Sequence, residues 1–458
     1  MDDPRAYDVL IVGGGQAGIP LAYKLAAEGM SVALAERKDL GGSCVNFGCT
    51  PTKAVVASAR VAHQARRATE YGLEIPEVRV DFPAVLQRAK EIVELKRTGL
   101  DKGLQEAENP ALIRGHARFE GREDGGFRLR VGEETVIAEQ VVLDTGTRTL
   151  LPPIEGLDGV DFIEAGNWLE KTELPESLAV IGGSYIGLEM AQFYNRMGSR
   201  VTVVVGRSDH VAPREDDDVT EALHAILEEE GVEFVFCERA ESVASSGSGL
   251  TLTLDGGDPA ELNVSHLFVA TGRLPNTDDL GLENVGLETS DGIIEVDERL
   301  ATPIEGIWAA GDIRGGPMFT HTSWDDHRIL LSQMSGDGSR TTDRIVPYAI
   351  FTDPELGRVG MTEREAREAG YDVEVMNFDM TREKGKAREI GENKGLIKVV
   401  ADAPDGRILG AAVLTVEGAE LVHVYVDLMN AGATLDTIQN AIHIHPTLAE
   451  DIQTAVSS

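Results

Sequence analysis

Two cysteines five positions apart, Cys44 and Cys49 in the stretch GGSCVNFGC, are the residues of this chain best suited to redox or metal chemistry. Only one other cysteine, Cys237, occurs in 458 residues. A disulfide needs its α-carbons within about 7 Å, whereas five residues of regular helix rise ~7.5 Å. The pair can therefore close only across a turn, and Asn46 and Gly48 between the cysteines suit one. Pro51 fits the first turn of a following helix, whose apolar spacing runs through KAVVASARVAHQA. Cys49 is then expected at a helix N-terminus, where the positive dipole end favours a thiolate. Zinc is the competing chemistry. A four-ligand site needs more cysteine or histidine than this neighbourhood offers, so no metal site is expected.

A second group capable of proton transfer lies near the C-terminus, where IHIHPTLAE holds His443, His445 and Glu450. A histidine oriented by a carboxylate is a common acid–base device in thiol chemistry. Taken alone, without the cysteine motif, these read better as ordinary strand or loop histidines.

Elements that could position such groups are legible upstream. YDVLIV (7–12) is a short apolar run, followed by Gly13-Gly14-Gly15-Gln16-Ala17-Gly18, a helical pattern, and a second apolar run ending at Glu36. The same grammar returns in LAVIGGSYIGLEMAQFYNRMGSRVTVVV at 178–205. Glycines allow a tight turn and a close backbone approach to a pyrophosphate, and the helix N-terminus behind them offers unpaired N–H groups. One such motif could be a mere turn, but two in strand–turn–helix–strand context point to two dinucleotide sites. Glu36 stands where an acid accepts hydrogen bonds from ribose hydroxyls, which suits FAD or NAD. The second unit has Ser184 in place of the middle glycine, and Gly206 followed by Arg207 where an acid would stand, with Arg214 further on. Arginines without that acid favour a 2′-phosphate, hence NADPH over NADH. The competing account is that they pair with the adjacent Glu215 and Asp216. VVLDTG (141–146) and LFVATGRLPN (267–276) read as strands ending in Thr-Gly turns that bracket the second unit, and IWAAGDI (307–313) as a strand ending at Asp312. Beyond about residue 345, strand-like LIKVVA and ILGAAVLTV alternate with the apolar helix AELVHVYVDLMNAG, which reads as a third, α+β domain.

The length accommodates about three domains of ~150 residues. Apolar content of 42% is ordinary for a globular chain, and no run of ~18 apolar residues suggests a membrane span. The start, MDDPRAYDVLIVGGG, lacks a basic region and a cleavage site, so no signal peptide is read and the cytoplasm is expected. A formal charge of −36, spread along the chain, argues against nucleic acid and anionic membranes as partners. It also suggests adaptation to high salt, where screening relieves self-repulsion.

GGSCVNFGCTPTK, the two nucleotide units, ATGRLPN, AAGD and the closing HIHPTLAE together resemble the flavin-dependent pyridine nucleotide-disulfide oxidoreductases, in order and over essentially the whole chain. CVNFGCTPTK, DTGTR and GRSDHVAPRED are most similar to the mercuric-reductase-like branch, next to the glutathione-reductase-like one. The resemblance implies an α/β fold with two Rossmann-like dinucleotide-binding domains and a C-terminal α+β dimerisation domain. The implied boundaries are 1–150 and 273–345 for FAD, 151–272 for NAD(P)H and 346–458 for the interface. It places FAD on Gly13, Gly15, Gly18 and Glu36, with Gly42, Ser43, Lys53, Ala117, Thr145, Gly146 and Asp312 around it. NADPH would lie on Gly182, Ser184, Tyr185, Ile186, Gly187, Glu189, Arg207, Arg214 and Gly272. Cys49 would be the sulfur against the flavin and Cys44 the one that attacks substrate. Lys53 and Glu189 would form an ion pair beside the flavin, and Tyr185 would cover the nicotinamide pocket. His445, held by Glu450, would act across a homodimer interface. Electrons would pass from NADPH through FAD and the Cys44–Cys49 disulfide to a small acceptor. Mercuric reductase proper carries a C-terminal cysteine pair, which the ending DIQTAVSS lacks. The other readings are dihydrolipoamide dehydrogenase and a low-turnover flavoprotein component of a multienzyme complex.

Overall fold

The apolar runs become the inner, parallel strands of two sheets. The computed structural model describes residues 5–457; Asp2 and Asp3 of the acidic N-terminal reading lie outside them. In the first sheet β1 (Arg5–Val12), β2 (Val32–Glu36), β3 (Ala111–Arg114), β4 (Ala117–Glu123), β5 (Gly126–Val131) and β6 (Glu134–Leu143) stand in the order β3-β2-β1-β6-β5-β4. β1 pairs in parallel with both β2 and β6, and the sheet continues through the antiparallel pairs β6–β5 and β5–β4. Helix α1 (Gly18–Ala27) buries Ile19, Leu21, Ala22 and Leu25. The chain leaves this sheet after β6 and returns to it at Ile307–Ala309, parallel to β6.

The second sheet repeats the pattern. Ser177–Ile181, Arg200–Gly206, Glu233–Cys237, His266–Val269 and Ile163–Glu164 pair in parallel. Their near-continuous apolar sequences reflect burial on both faces. A three-stranded antiparallel meander, Arg239–Ser246, Gly249–Asp255 and Glu261–Val264, covers one side. Where the chain passes between the two sheets, Thr147–Thr149 pairs antiparallel with Arg273–Pro275.

The last sheet is antiparallel, in the order Tyr348–Ile350, Glu355–Gly360, Arg407–Thr415, Leu396–Asp402, Val373–Asp379. Helix Gly418–Asn430 and the C-terminal helix Ala449–Ser457 close its core around Tyr425, Val422 and Ile452. The segment IWAAGDI is not one strand. Its strand ends at Ala309, and Asp312 sits in the tight helical turn Gly311–Arg314, entered through Gly311 at φ +69°. Among the described residues, no helix is long and apolar enough to cross a membrane.

Candidate active site

The cysteines lie on either side of a helix break. Helix α2 spans Gly42–Asn46 and α3 spans Cys49–Arg66, with Phe47 and Gly48 outside helical geometry. Asn46 Nδ2 donates to the Leu40 and Gly42 carbonyls at 3.0 and 2.9 Å, and Trp168 Nε1 donates to the Phe47 carbonyl at 2.9 Å. These bonds fix the break and let the two sulfur atoms meet. Cys44 and Cys49 thus meet across this break, as a pair that exchanges between two thiols and a disulfide requires.

The pair divides its proton unequally. A hydrogen bond from Cys44 holds the Cys49 thiol below its ordinary range, aided by the Thr320 hydroxyl and Lys53 and opposed by burial. The same bond, with burial, pushes Cys44 up. Cys49 is also the first residue of α3, where the helix dipole favours negative charge. Thr320 Oγ1 lies 3.2 Å from Cys49 Sγ and is the first residue of helix α4 (Thr320–Ser335). Behind the cysteines Lys53 Nζ donates to Glu189 Oε2 at 2.8 Å. Glu189 Oε1 accepts the Phe351 N–H at 3.0 Å, and Lys53 lies 4.2 Å over the Phe351 ring.

Both cysteines open into a cavity of about 710 Å³ that runs back to Gly13, Gly14, Gly15 and Glu36. Gly42, Ser43, Lys53, Ala117, Thr145, Gly146, Asp312, Tyr185, Ile186 and Glu189 also line it. The volume lies within the range of cofactor sites, about 300–1,000 Å³. Gly13 sits at φ +116°, and a β-carbon there would stand 2.0 Å from the Asp144 carbonyl oxygen, so this wall must be bare backbone. Glu36 Oε2 accepts the Gly14 N–H at 2.8 Å at the tip of β2, leaving further acceptor capacity towards the cavity. A glycine-lined backbone wall, a helix N-terminus and an acid at the second strand's tip fit the diphosphate and ribose of FAD. Gly18 does not line the cavity; it is buried, its N–H donating to Asp144 Oδ2 at 2.8 Å. Its part is close helix–strand packing.

The second unit is built alike. Gly187 packs so close to Gly182 that a β-carbon on it would lie 1.8 Å from the Gly182 carbonyl oxygen. Ser184 is exposed at the N-cap of the helix Tyr185–Met197, with no side-chain capping bond. Gly272 lies between His266–Val269 and the Arg273–Pro275 strand. Tyr185 stands 6.0 Å from the Phe319 ring, and burial raises its hydroxyl pKa. Arg207 and Arg214 are exposed. Glu215 and Asp216, the partners that the competing account gave them, pair elsewhere: Glu215 with Arg358 at 3.2 Å and Asp216 with Lys398 at 3.3 Å.

His445 Nδ1 lies 3.1 and 3.2 Å from the two Glu450 oxygens. The His445 side chain is 75% exposed and does not line the cavity that holds the cysteines of its own chain. Thr320, Phe351, Trp168 and Asp144 are the site residues that the sequence reading missed. Only Asp144 carries a signal, an acid set at the end of a buried strand just before Thr-Gly.

Residues 7–326 match the family described as pyridine nucleotide-disulphide oxidoreductase, and residues 346–456 match that family's dimerisation domain. A probable pyridine nucleotide-disulfide oxidoreductase, RclA of Escherichia coli K12, is 34% identical over 97% of this chain and 98% of its own. The dihydrolipoyl dehydrogenase of Halobacterium salinarum is 35% identical over 97% of this chain and 94% of its own. The structure of a Cu(II) complex of the HOCl-induced flavoprotein disulfide reductase RclA from Escherichia coli superposes with a TM-score of 0.88 at 33% identity, covering 100% of this chain and 99% of the other.

Proposed function

The chain belongs to the pyridine nucleotide-disulphide oxidoreductase family, and on that premise we propose that it reduces a small disulfide at the expense of NADPH. The observation that carries this reading is the Cys44–Cys49 pair at one end of a cavity whose other end is a dinucleotide cradle. Bound in that cavity, FAD supplies the two-electron chemistry that links a reduced nicotinamide to a disulfide. Gly13, Gly15, Glu36, Thr145, Gly146 and Asp312 would hold it.

The protein's own residues act on protons and orientation. Cys49 keeps a thiolate, with Lys53 and Thr320 stabilising its charge. Cys44 keeps its proton until a base takes it. Glu189 fixes Lys53 and is itself fixed by the Phe351 backbone. On this reading 151–272 is the nucleotide domain, 1–150 and 273–345 form the flavin domain, and 346–458 pairs two subunits in the cytoplasm.

Support for NADPH is that Arg207 and Arg214 are exposed beyond the second unit's strand end, with the neighbouring acids engaged elsewhere. Purified enzyme will be yellow and will show a higher kcat/KM for NADPH than for NADH. Arg207→Glu will erode that ratio by about 10- to 100-fold, the worth of a charge-assisted hydrogen bond. Equal use of both nucleotides by the wild type would end the NADPH assignment and leave the flavin one intact.

A second reading, dihydrolipoamide oxidation, draws on the likeness to the Halobacterium salinarum enzyme. The reduced enzyme should therefore be challenged with a disulfide panel that includes lipoamide, together with Hg²⁺ and Cu²⁺. Turnover confined to metal ions would overturn the disulfide reading.

We also read the charge of −36 as adaptation to salt. Screening lengths fall from ~10 Å at 0.1 M to ~3 Å at 1 M, so the melting temperature will rise by several degrees between low and molar KCl. A flat response would remove the halophilic reading.

A further inference from the structure

Asp144 follows β6 and precedes Thr145-Gly146. Its side chain lies buried beneath the first glycine turn, where Oδ2 accepts the Gly18 N–H at 2.8 Å, and its own N–H donates to the Val12 carbonyl at 2.8 Å. The same carboxyl fills the space beside Gly15 and Gly311. A β-carbon on either glycine would stand 2.8 or 2.7 Å from one of its oxygens. One side chain therefore packs between three segments that line the cavity: the Gly13–Gly18 turn, Thr145-Gly146 and the Gly311–Asp312 turn. The charged groups facing it are Asp312 on that turn and Asp326 on helix α4. The arginines nearby are committed to Asp326, Arg314 at 2.8 Å and Arg344 through its other oxygen.

We propose that Asp144 is a positioning residue for the flavin dinucleotide: it locks the Gly13–Gly18 turn against the Gly311–Asp312 turn and so sets how tightly FAD is held. Two acids, Asp312 and Asp326, face it while Arg314 and Arg344 are paired with Asp326, a setting that calls for a neutral acid against the pull of the Gly18 and Ala17 N–H groups. Burial, with Asp312 and Asp326 adding to it, pushes its carboxyl well above the usual range. A carboxylate here would compete with the cofactor's anionic diphosphate for the same helix N-terminus. A protonated acid still accepts the Gly18 N–H and adds no charge. The inference rests on the cavity being the flavin site.

The test titrates apo-protein with FAD across pH for the wild type, Asp144→Asn and Asp144→Ala. Asparagine keeps an acceptor for the Gly18 N–H and carries no charge. At neutral pH the asparagine variant will bind FAD within about threefold of wild type, and the alanine variant will bind at least about tenfold more weakly, the cost of an unpaired buried donor. Wild-type affinity will fall as the pH becomes alkaline, and that of the asparagine variant will not. Apo-protein melting gives a readout independent of the flavin. An acid whose folded pKa is raised costs stability as pH climbs above its unfolded value of about 3.9 towards the folded one. The stability margin of Asp144→Asn over wild type will therefore widen with pH. FAD binding by the alanine variant equal to wild type, an asparagine variant as weak as alanine, or wild-type and asparagine profiles that run parallel would overturn the proposal. If the alanine variant does not fold, the wild-type and asparagine comparison still decides. Wild-type apo-protein that takes up no FAD would instead sink the flavin reading, a result distinct from equal binding by all three.

Discussion

Cys44→Ser will stop turnover with disulfide acceptors by about 10⁴-fold or more, the scale seen when an enzyme loses its nucleophile. The fold and flavin uptake should survive, since the side chain is small and sits in the short helix α2. Cys49→Ser will stop turnover too, but differently. On the proposed function, the Cys44 thiolate of the intact pair attacks the acceptor disulfide, one half leaves as a thiol, and a mixed disulfide forms. The Cys49 thiolate then attacks the Cys44 sulfur, releases the second half and closes the Cys44–Cys49 bond. Two electrons leave the pair and two thiols are produced. Without Cys49 the first step proceeds and the second cannot. Intact-protein mass spectrometry should therefore find the acceptor half trapped on Cys49→Ser enzyme and absent from Cys44→Ser enzyme. A trapped adduct on the Cys44→Ser enzyme alone would exchange the two roles. Wild-type turnover by Cys44→Ser would make the pair a bystander.

The proton distribution supports this order. Cys49 sits at the first residue of α3, takes the hydrogen bond from Cys44 and has Lys53 and Thr320 to share its charge. It is the sulfur better placed to carry negative charge, which suits it to resolve a mixed disulfide. Cys44 is the sulfur that needs help to ionise.

Much of this arrangement is legible in the sequence because its signals are local. The turn between Cys44 and Cys49 is announced by Asn46 and Gly48. The dinucleotide units are announced by glycines whose spacing is dictated by backbone contact, as at Gly187 against Gly182. The Lys53–Glu189 pair was accessible only through family likeness, since no local pattern joins residues on two helices from different units. Thr320 and Phe351 escaped for the same reason. Each reaches the site from a distant segment, and a threonine at a helix start or a phenylalanine after a short strand has many ordinary uses. The apolar residues before Asp312 read as a strand that ends at it. The strand stops three residues earlier because Gly311 takes positive φ and turns the chain. Arg207 and Arg214 could not be separated from Glu215 and Asp216 by sequence, because Arg358 and Lys398, which take those acids, lie far along the chain.

His445→Ala will slow dithiol–disulfide exchange by about 10²- to 10⁴-fold, the span of a lost general acid–base, and will leave nucleotide-driven flavin reduction near its wild-type rate. The reason lies in Cys44. Its thiol is pushed towards the protonated form by the bond to Cys49 and by burial, and Thr320 and Lys96, which favour its thiolate, cannot accept its proton. A base must therefore come from elsewhere. His445 has the form of one: Glu450 holds Nδ1, which leaves Nε2 to exchange a proton. The Thr447 N–H, the largest influence, and His445 hold the Glu450 carboxyl below its ordinary value, so it favours the anion beside the imidazole. Yet His445 is exposed and lies outside the cavity of its own chain. We attribute its action to a second copy of the chain, docked through the dimerisation domain. Co-expression of Cys44→Ser with His445→Ala subunits tests this directly. Each homodimer alone is inactive. A mixed dimer unites the intact cysteines of one subunit with the intact histidine of the other only if the histidine acts across the interface, so activity will return in the mixture. If His445 served its own chain, both sites of the mixed dimer would be dead, and the absence of rescue would place the base within one subunit.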